Sequence, residues 1–232
     1  GTAIAFVLAL LMVFLRIQEP DKRNNDFVKI IKIVANKFAR FYIFVIRGTP
    51  MMVQSLIFYY AIFNLFKRTG MSVTEINRVW SLFISGLVTV SLNSTAYLAE
   101  VLRGGILAVD AGQMEAARSL GMTHWQAMRR VVFPQAIKNS LPAIGNEFII
   151  NIKDSSVLCV LGVSDLMFMT RSVAGIYYKG TECYLIAATV YLFLTYLSSL
   201  LLKAITGRMT APDNTKRRQG NQTVDLGLPS SN

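Results

Sequence analysis

Long apolar runs alternate with polar, basic connections along this 232-residue chain. Three runs approach the length that a helix needs to cross the hydrocarbon core of a bilayer, which is about 20 residues with a range of roughly 17–25. They cover residues 50–66, 80–102 and 183–205. Trp80 opens the second run and has the aromatic character typical of a membrane interface. The pattern predicts an all-α membrane protein.

Two further segments fit a membrane helix less well. Residues 140–169 mix apolar side chains with Pro142, Gly145, Glu147, Lys153, Asp154 and Asp165. Such a helix is stable at membrane depth only if its polar side faces protein or a water-filled cavity. Residues 1–15 are apolar but too short to span, and they lack the charged start and cleavage site of a signal peptide. We therefore expect about five spans, the first of them truncated.

Residues 27–46 have a different periodicity. Their apolar positions recur at helical spacing and are interrupted on other faces by Lys29, Lys32, Lys37 and Arg40. This pattern predicts an amphipathic helix that lies along the cytoplasmic interface. Residues 210–232 are polar and lack any such periodicity, so we expect a disordered tail after a transmembrane domain at 1–209.

The distribution of charge gives an expected orientation. The net charge is +11, and only 16% of residues are charged, against about 25% in an average soluble domain. Most Lys and Arg residues fall in 16–47, in 103–138 or after residue 202, on one side of a five-span chain. Because Lys and Arg accumulate in cytoplasmic loops, the N-terminus is expected outside and the C-terminus inside. Topology thus accounts for the positive charge, and we expect no nucleic-acid binding.

The connection at 113–137 predicts a compact cytoplasmic knob. A segment of good helix formers runs to Gly121, which suits a left-handed C-cap. Thr123 can cap a second helix, which is expected to end near Pro134. Ala116 and Ala117 keep one face of the first helix thin, so that a partner surface can approach closely.

The same connection resembles the EAA loop of bacterial ATP-binding-cassette importer permeases. The resemblance rests on the spacing of Glu115-Ala116-Ala117, Gly121, Val131 and Phe133-Pro134, with Val131 and Phe133 in place of the usual Ile and Leu. Three other segments are similar to the polar amino-acid permeases. They are Arg47-Gly48-Thr49-Pro50 with Gln54, residues 91–105, and residues 145–155. Together the four cover nearly the whole chain.

The resemblance implies a type I importer permease in the bacterial cytoplasmic membrane. In that family the EAA loop forms a coupling helix that docks on a separate ATPase subunit, which binds ATP and Mg. An extracellular binding protein or domain delivers the amino acid, and two permease subunits, identical or homologous, work together. We expect no cofactor and no enzymatic activity in this chain, because residues 175–181 have the glycine spacing of a phosphate loop without its Lys-Ser/Thr.

Candidate coupling residues follow from the resemblance. They are Glu115, Ala116, Ala117, Arg118, Gly121, Arg129, Arg130 and Pro134. Alternatively, Glu115 pairs with Arg118 three residues on, and the arginines only reflect topology. His124 is the sole histidine and cannot form a metal site by itself, so we expect none.

Candidate residues for the substrate path lie near membrane depth. Glu147 and Asp154 share a helix face, and ionisable groups in such a position favour a functional role over mutual neutralisation. Carboxylates there would suit a cationic amino acid. Other hydrogen-bonding candidates are Asn93, Ser91, Ser94 and Gln54, which otherwise make contacts between helices. Arg47 is interpreted as an anchor at the interface.

Two other functions remain open at this point. One is an ion-coupled secondary transporter, which inverted repeats would favour, although we find none. The other is a membrane scaffold that recruits a cytoplasmic partner through the knob. The sequence does not say which amino acid is carried, or whether the chain pairs with itself or with a homologue.

Overall fold

The computed structural model describes residues 1–17 and 26–209, so the predicted tail at 210–232 lies outside the described residues. Within those ranges every regular element is helical, which confirms the predicted fold class. The helices are α1 Thr2–Ile17, α2 Asp26–Gly48, α3 Met51–Arg68, α4 Val73–Val79, α5 Leu82–Leu107, α6 Ala111–Ser119, α7 His124–Ala127, α8 Phe133–Asp154, α9 Leu166–Tyr177 and α10 Gly180–Met209. A π-helical turn, Met128–Val132, joins α7 to α8, and a 3-10 helix, Ser155–Leu161, follows α8.

Helix α5 is the centre of the bundle and packs against α1, α2, α3 and α8. Its buried side is rich in small residues, including Ser85, Thr89, Ser94, Thr95, Ala96 and Ala99. Small side chains let helices approach closely, which favours packing in lipid, where burial of apolar surface gives little driving force. The hydroxyls mostly bond within the bundle; that of Thr95, for example, donates to the Ser91 carbonyl at 2.6 Å.

The helix boundaries refine the predicted spans. By length and composition, α5 and residues Gly180–Gly207 of α10 could each cross a membrane alone. Helices α2 and α3 form a pair bent by 113°, and the run His124–Leu161 is bent by 53° against α9. Helix α1 has 16 residues. The five predicted spans thus correspond to two straight helices, two bent pairs and one short helix among the described residues.

The break after α8 falls inside the segment predicted as one span at 140–169. Gly162 has a φ of 89°, a conformation that L-residues with side chains rarely adopt. Asp165 then caps α9 by accepting a hydrogen bond from the Phe168 N–H at 2.7 Å. The residues after Gly162 therefore belong to a second helix with a different direction.

Helix α2 is longer than the predicted interfacial helix at 27–46. Its first half exposes Phe27, Ile30, Ile31 and Val34, as an interfacial helix would. Its second half buries Ala39, Ile43 and Ile46 and packs against α1 and α5. Helix α2 thus runs from the predicted interface into the bundle.

Helices α5 and α8 approach each other closely at Gly105. A Cβ placed there would lie 2.6 Å from the Ala136 carbonyl oxygen and in contact with the Ser140 hydroxyl. Because a backbone atom blocks the space, a larger residue must push the helices apart. The neighbouring Gly104 has open space around its Cβ position.

We expect Gly105→Ala to destabilise the bundle by about 1–3 kcal/mol, the usual cost of overpacking. Thermal unfolding in detergent would then shift down by about 2–4 °C per kcal/mol. Gly104→Ala is the matched control and should unfold at or above the wild-type temperature, because Ala favours helix over Gly. Equal midpoints for the two variants would contradict the close approach.

Candidate functional site

The site is built around the break between α2 and α3. Pro50 lacks an N–H and disfavours helical geometry in the residue before it, so the helix stops at Gly48 and restarts at Met51. Pro50 occupies the N-cap position of α3 with φ −64° and ψ 137°. Thr49 turns its hydroxyl back to the Val45 carbonyl at 2.8 Å. The break leaves carbonyls at the end of α2 without helical partners.

The Gln54 side chain satisfies these carbonyls from the first turn of α3. Its Nε2 lies 2.7 Å from the Ile46 oxygen, 2.9 Å from the Thr49 oxygen and 2.8 Å from the Thr49 hydroxyl. Its Oε1 accepts a hydrogen bond from Asn93 Nδ2 at 3.0 Å. The side chain is 5% exposed, so water cannot replace these bonds easily. One amide therefore joins the helix break to the middle of α5.

A cavity of about 520 Å³ opens beside the break. Arg47 and Thr49 line it from the break, Asn93 and Tyr97 from α5, and Glu147 and Asp154 from α8. The Arg47 guanidinium lies 5.2 Å from the centroid of the Tyr97 ring, within the range of a cation–π interaction. We name this the helix-break cavity.

The charged side chains that line the helix-break cavity do not form ion pairs with one another. Arg47, Glu147 and Asp154 form no ion pair within the described residues, where the pairs are Arg16–Glu100, Lys29–Asp26 and Arg103–Glu100. Glu147 is only 8% exposed. A cation and two carboxylates thus line one space and remain available to a ligand with charges of both signs.

The predicted path residues divide into three groups. The cavity is lined by Glu147, Asp154 and Asn93, and Gln54 accepts a hydrogen bond from Asn93. Ser94 instead donates to Asn151 Oδ1 at 2.9 Å and so joins α5 to α8. Ser91 donates to the Leu87 carbonyl of its own helix at 2.7 Å. Neither serine lines the helix-break cavity, and their place in the substrate path stays a prediction.

Sequence reasoning missed Arg47 and Tyr97 as cavity residues. The sequence suggests an interface anchor for Arg47, whereas the structure places it at a cavity together with residues of α5 and α8. The available signal was its position directly before Gly48-Thr49-Pro50, where a helix must end. Tyr97 lies one helical turn after Asn93 and therefore on the same face of α5.

The connection after α5 folds into the predicted knob. Gly121 follows α6 with a φ of 85°. The Met122 N–H donates to the Ala117 carbonyl at 3.2 Å and the Gly121 N–H to the Arg118 carbonyl at 3.0 Å, which is a Schellman motif. Thr123 and Gln126 form a capping box at the start of α7. Both caps are as predicted.

The second half of the knob differs from the prediction, because the helical segment that begins after Thr123 does not end near Pro134. It continues through the π-helical turn into α8, with the Phe133 N–H bonded to the Met128 carbonyl. Pro134 is the second residue of α8, directly after the π-helical turn, and has no N–H to donate to that turn. The knob is therefore continuous with the helix that carries Glu147 and Asp154.

The knob surface differs from the prediction at Ala117, and the alternative pairing of Glu115 with Arg118 does not form. Ala117 is 4% exposed, so it packs inside the knob and cannot form the expected thin outer face. Glu115 makes no ion pair with Arg118 or with any other described residue. The other predicted coupling positions lie on the exposed surface; they are Glu115, Ala116, Arg118, Gly121, Arg129, Arg130 and Pro134. Leu120, which the sequence did not single out, is 82% exposed.

Comparison with known families shows what kind of protein has this architecture. Residues 31–211 match the family described as "Binding-protein-dependent transport system inner membrane component". The chain belongs to this permease family. A crystal structure titled "Crystal structure of an amino acid ABC transporter with histidines" matches the permease with a TM-score of 0.72 and 40% identity, covering 89% of this chain and 86% of that chain. The predicted type I importer permease fold is thereby confirmed.

Curated relatives cover about three quarters of the permease. The glutamine transport system permease protein GlnP of Escherichia coli K12 is 34% identical over 176 residues, which is 76% of each chain. The probable amino-acid permease protein YxeN of Bacillus subtilis is 37% identical over 182 residues, 78% of each. The nopaline transport system permease protein NocM of Agrobacterium fabrum is 34% identical over 173 residues, covering 73% of this chain and 70% of NocM.

The Gln54 contacts give a testable prediction for the permease. We expect Gln54→Glu to lower stability by about 1–3 kcal/mol, because a carboxylate cannot donate to the carbonyls at the break. Asn64→Asp is the matched control: it makes the same amide-to-acid change at an exposed position of α3. Thermal unfolding in detergent measures the difference, and similar midpoints for both variants would show that the Gln54 amide is dispensable.

Proposed function

We propose that this permease moves a polar amino acid across the cytoplasmic membrane, driven by ATP hydrolysis in a separate subunit. The observation that carries the proposal is the helix-break cavity, which presents a guanidinium and two carboxylates without pairing them. Related permeases are named for glutamine and nopaline transport, and the matching crystal structure is titled as an amino acid transporter.

The chemistry of the cavity fits a free amino acid. At neutral pH such a molecule carries an α-carboxylate and an α-ammonium. Arg47 offers a planar donor fork that suits a carboxylate. Glu147 and Asp154 offer acceptors for the ammonium group or for a cationic side chain, and Asn93 adds a neutral hydrogen-bonding group. A volume of about 520 Å³ leaves room for a polar side chain and water.

The knob supplies a docking surface for the ATPase. Its exposed side combines the uncompensated charges of Glu115 and Arg118 with the apolar side chain of Leu120. An apolar side chain within a polar rim is the usual composition of a protein interface. The further expected partners are an extracellular binding protein or domain and a second permease subunit, with the N-terminus outside and the C-terminus in the cytoplasm.

Neutral replacement of either charge in the cavity should slow transport. Arg47→Gln and Glu147→Gln each remove a charged hydrogen-bonding group worth about 1.5–3 kcal/mol, so we expect uptake to fall about tenfold or more. Uptake is measured in proteoliposomes that contain the ATPase and liganded binding protein. Glu182→Gln is the control, because Glu182 is exposed at the start of α10. Wild-type uptake by both cavity variants would refute the assignment.

A charge at the tip of the knob should uncouple the two subunits. Leu120→Asp places a carboxylate in the proposed contact, and we expect ATP-driven uptake to fall at least about tenfold, as for loss of an interface hot spot. The ATPase subunit should still hydrolyse ATP by itself. Val73→Asp makes a similar change at an exposed apolar residue of α4 and should transport normally. Normal uptake by Leu120→Asp would remove the knob from the coupling path.

The energy source distinguishes the proposal from its rivals. Reconstituted permease should accumulate labelled amino acid only when the ATPase subunit and ATP are present. Uptake driven by a proton or sodium gradient without the ATPase would instead identify a secondary transporter. Binding of the ATPase with no uptake under any gradient would identify a scaffold.

A further inference from the structure

A second cavity of about 430 Å³ adjoins the helix-break cavity, and three arginines line it. Arg40 and Arg47 come from α2, and Arg16 comes from the end of α1. Arg47 and Gly48 border both cavities. We name this second space the arginine cavity. The proposed transport function assigns no role to Arg16 or Arg40.

The carboxylate of Glu100 is the sole acid among the described residues that borders the arginine cavity, and it is already bonded to two arginines. It pairs with Arg16, and its Oε2 accepts from Arg103 Nε at 3.0 Å and Nη2 at 2.9 Å. The side chains of Glu100 and Arg16 are 18% and 19% exposed. Glu100 therefore has little capacity left to neutralise the other arginines of the cavity.

Arg40 and Arg47 remain without an acidic partner among the described residues. They are seven residues apart, which places them two turns apart on one face of α2. Two guanidiniums that border one cavity repel each other and can both donate to an oxyanion placed between them. The electrostatics of the arginine cavity thus favour a bound anion.

The surroundings of the cavity indicate where the anion comes from. Ile43 and Phe44 line it beside the arginines, and Phe44 is 76% exposed. The apolar face of α2 continues over Phe38 and Phe41, which are 58% and 67% exposed. A soluble anion gains nothing from such a surface. A phospholipid matches both parts, with its phosphate on the arginines and its acyl chains along the apolar face.

We propose that the arginine cavity binds the phosphate of an anionic phospholipid. The site joins the exposed face of α2 to Arg47, which also borders the helix-break cavity, so an occupied site would hold Arg47 in position. Lipid binding of this kind does not depend on whether the chain transports an amino acid.

Titration of the purified full chain in neutral detergent tests the proposal. Bound lipid is counted by native mass spectrometry with phosphatidylglycerol and, separately, with phosphatidylcholine. We expect phosphatidylglycerol to bind more tightly, and Arg40→Gln to weaken its binding about fivefold, the effect of one arginine near an anionic headgroup. Lys37→Gln removes the same charge from an exposed position of α2 that does not border the cavity, and should bind like wild type.

Two results would overturn the proposal. Equal weakening by Arg40→Gln and Lys37→Gln would show attraction to the overall charge of α2 and not a site. Displacement of phosphatidylglycerol from wild type by inorganic phosphate or glutamine at millimolar concentration would assign the cavity to a soluble oxyanion. Because no ATPase is present, failure here leaves the proposed transport function untouched, and failure of the uptake experiments leaves the lipid site untouched.

Discussion

The hydrogen bonds of the Gln54 amide are the interaction on which the functional part of the bundle depends. A proline placed within a membrane protein creates carbonyls that lipid cannot satisfy. Here the break between α2 and α3 is stabilised by one side chain that contacts the Ile46 and Thr49 oxygens and also binds Asn93 of α5. Arg47 is the penultimate residue of α2, so the end of α2 at the break places it at a cavity shared with residues of α5 and α8. The helix-break cavity follows directly from that geometry.

The same constraint explains why charged groups are tolerated in the bundle. An isolated ion within a bilayer is costly, so ionisable side chains in membrane proteins face protein or water. Arg47 lies over the Tyr97 ring, and Glu147 and Asp154 face the shared cavity. Arg16 and Glu100 offset this cost by pairing with each other, and Glu100 also pairs with Arg103. The bundle therefore contains one paired cluster, which connects α1 to α5, and one unpaired cluster, which is open to ligands.

The sequence predicts those features that local chemistry decides. Gly121 and Thr123 mark the two caps of the knob, since each cap depends on residues within one or two turns. Charges within an apolar segment single out Glu147 and Asp154 in the sequence, and both line the helix-break cavity. The position of Arg47 depends on which residues of α5 and α8 lie beside the end of α2, and the burial of Ala117 depends on how the knob folds back on itself. Ser91 and Ser94 differ only in which neighbour each hydroxyl meets, and no local pattern contains that information.

The continuity of α8 connects the two halves of the proposed mechanism. The π-helical turn joins the knob to α8 without a loop, and Glu147 lies about 21 Å along the helix axis from Phe133. Rigid helices can carry coupling between distant sites, so in the proposed mechanism a tilt of the knob would move the carboxylates of α8 relative to Arg47 of α2. Pro142 lies within α8 between these two regions and has no N–H to donate to the preceding turn, so α8 can bend there. In the proposed mechanism, a force on the knob would therefore change the distance between the Arg47 guanidinium and the two carboxylates, and that distance would decide whether a zwitterion fits between them.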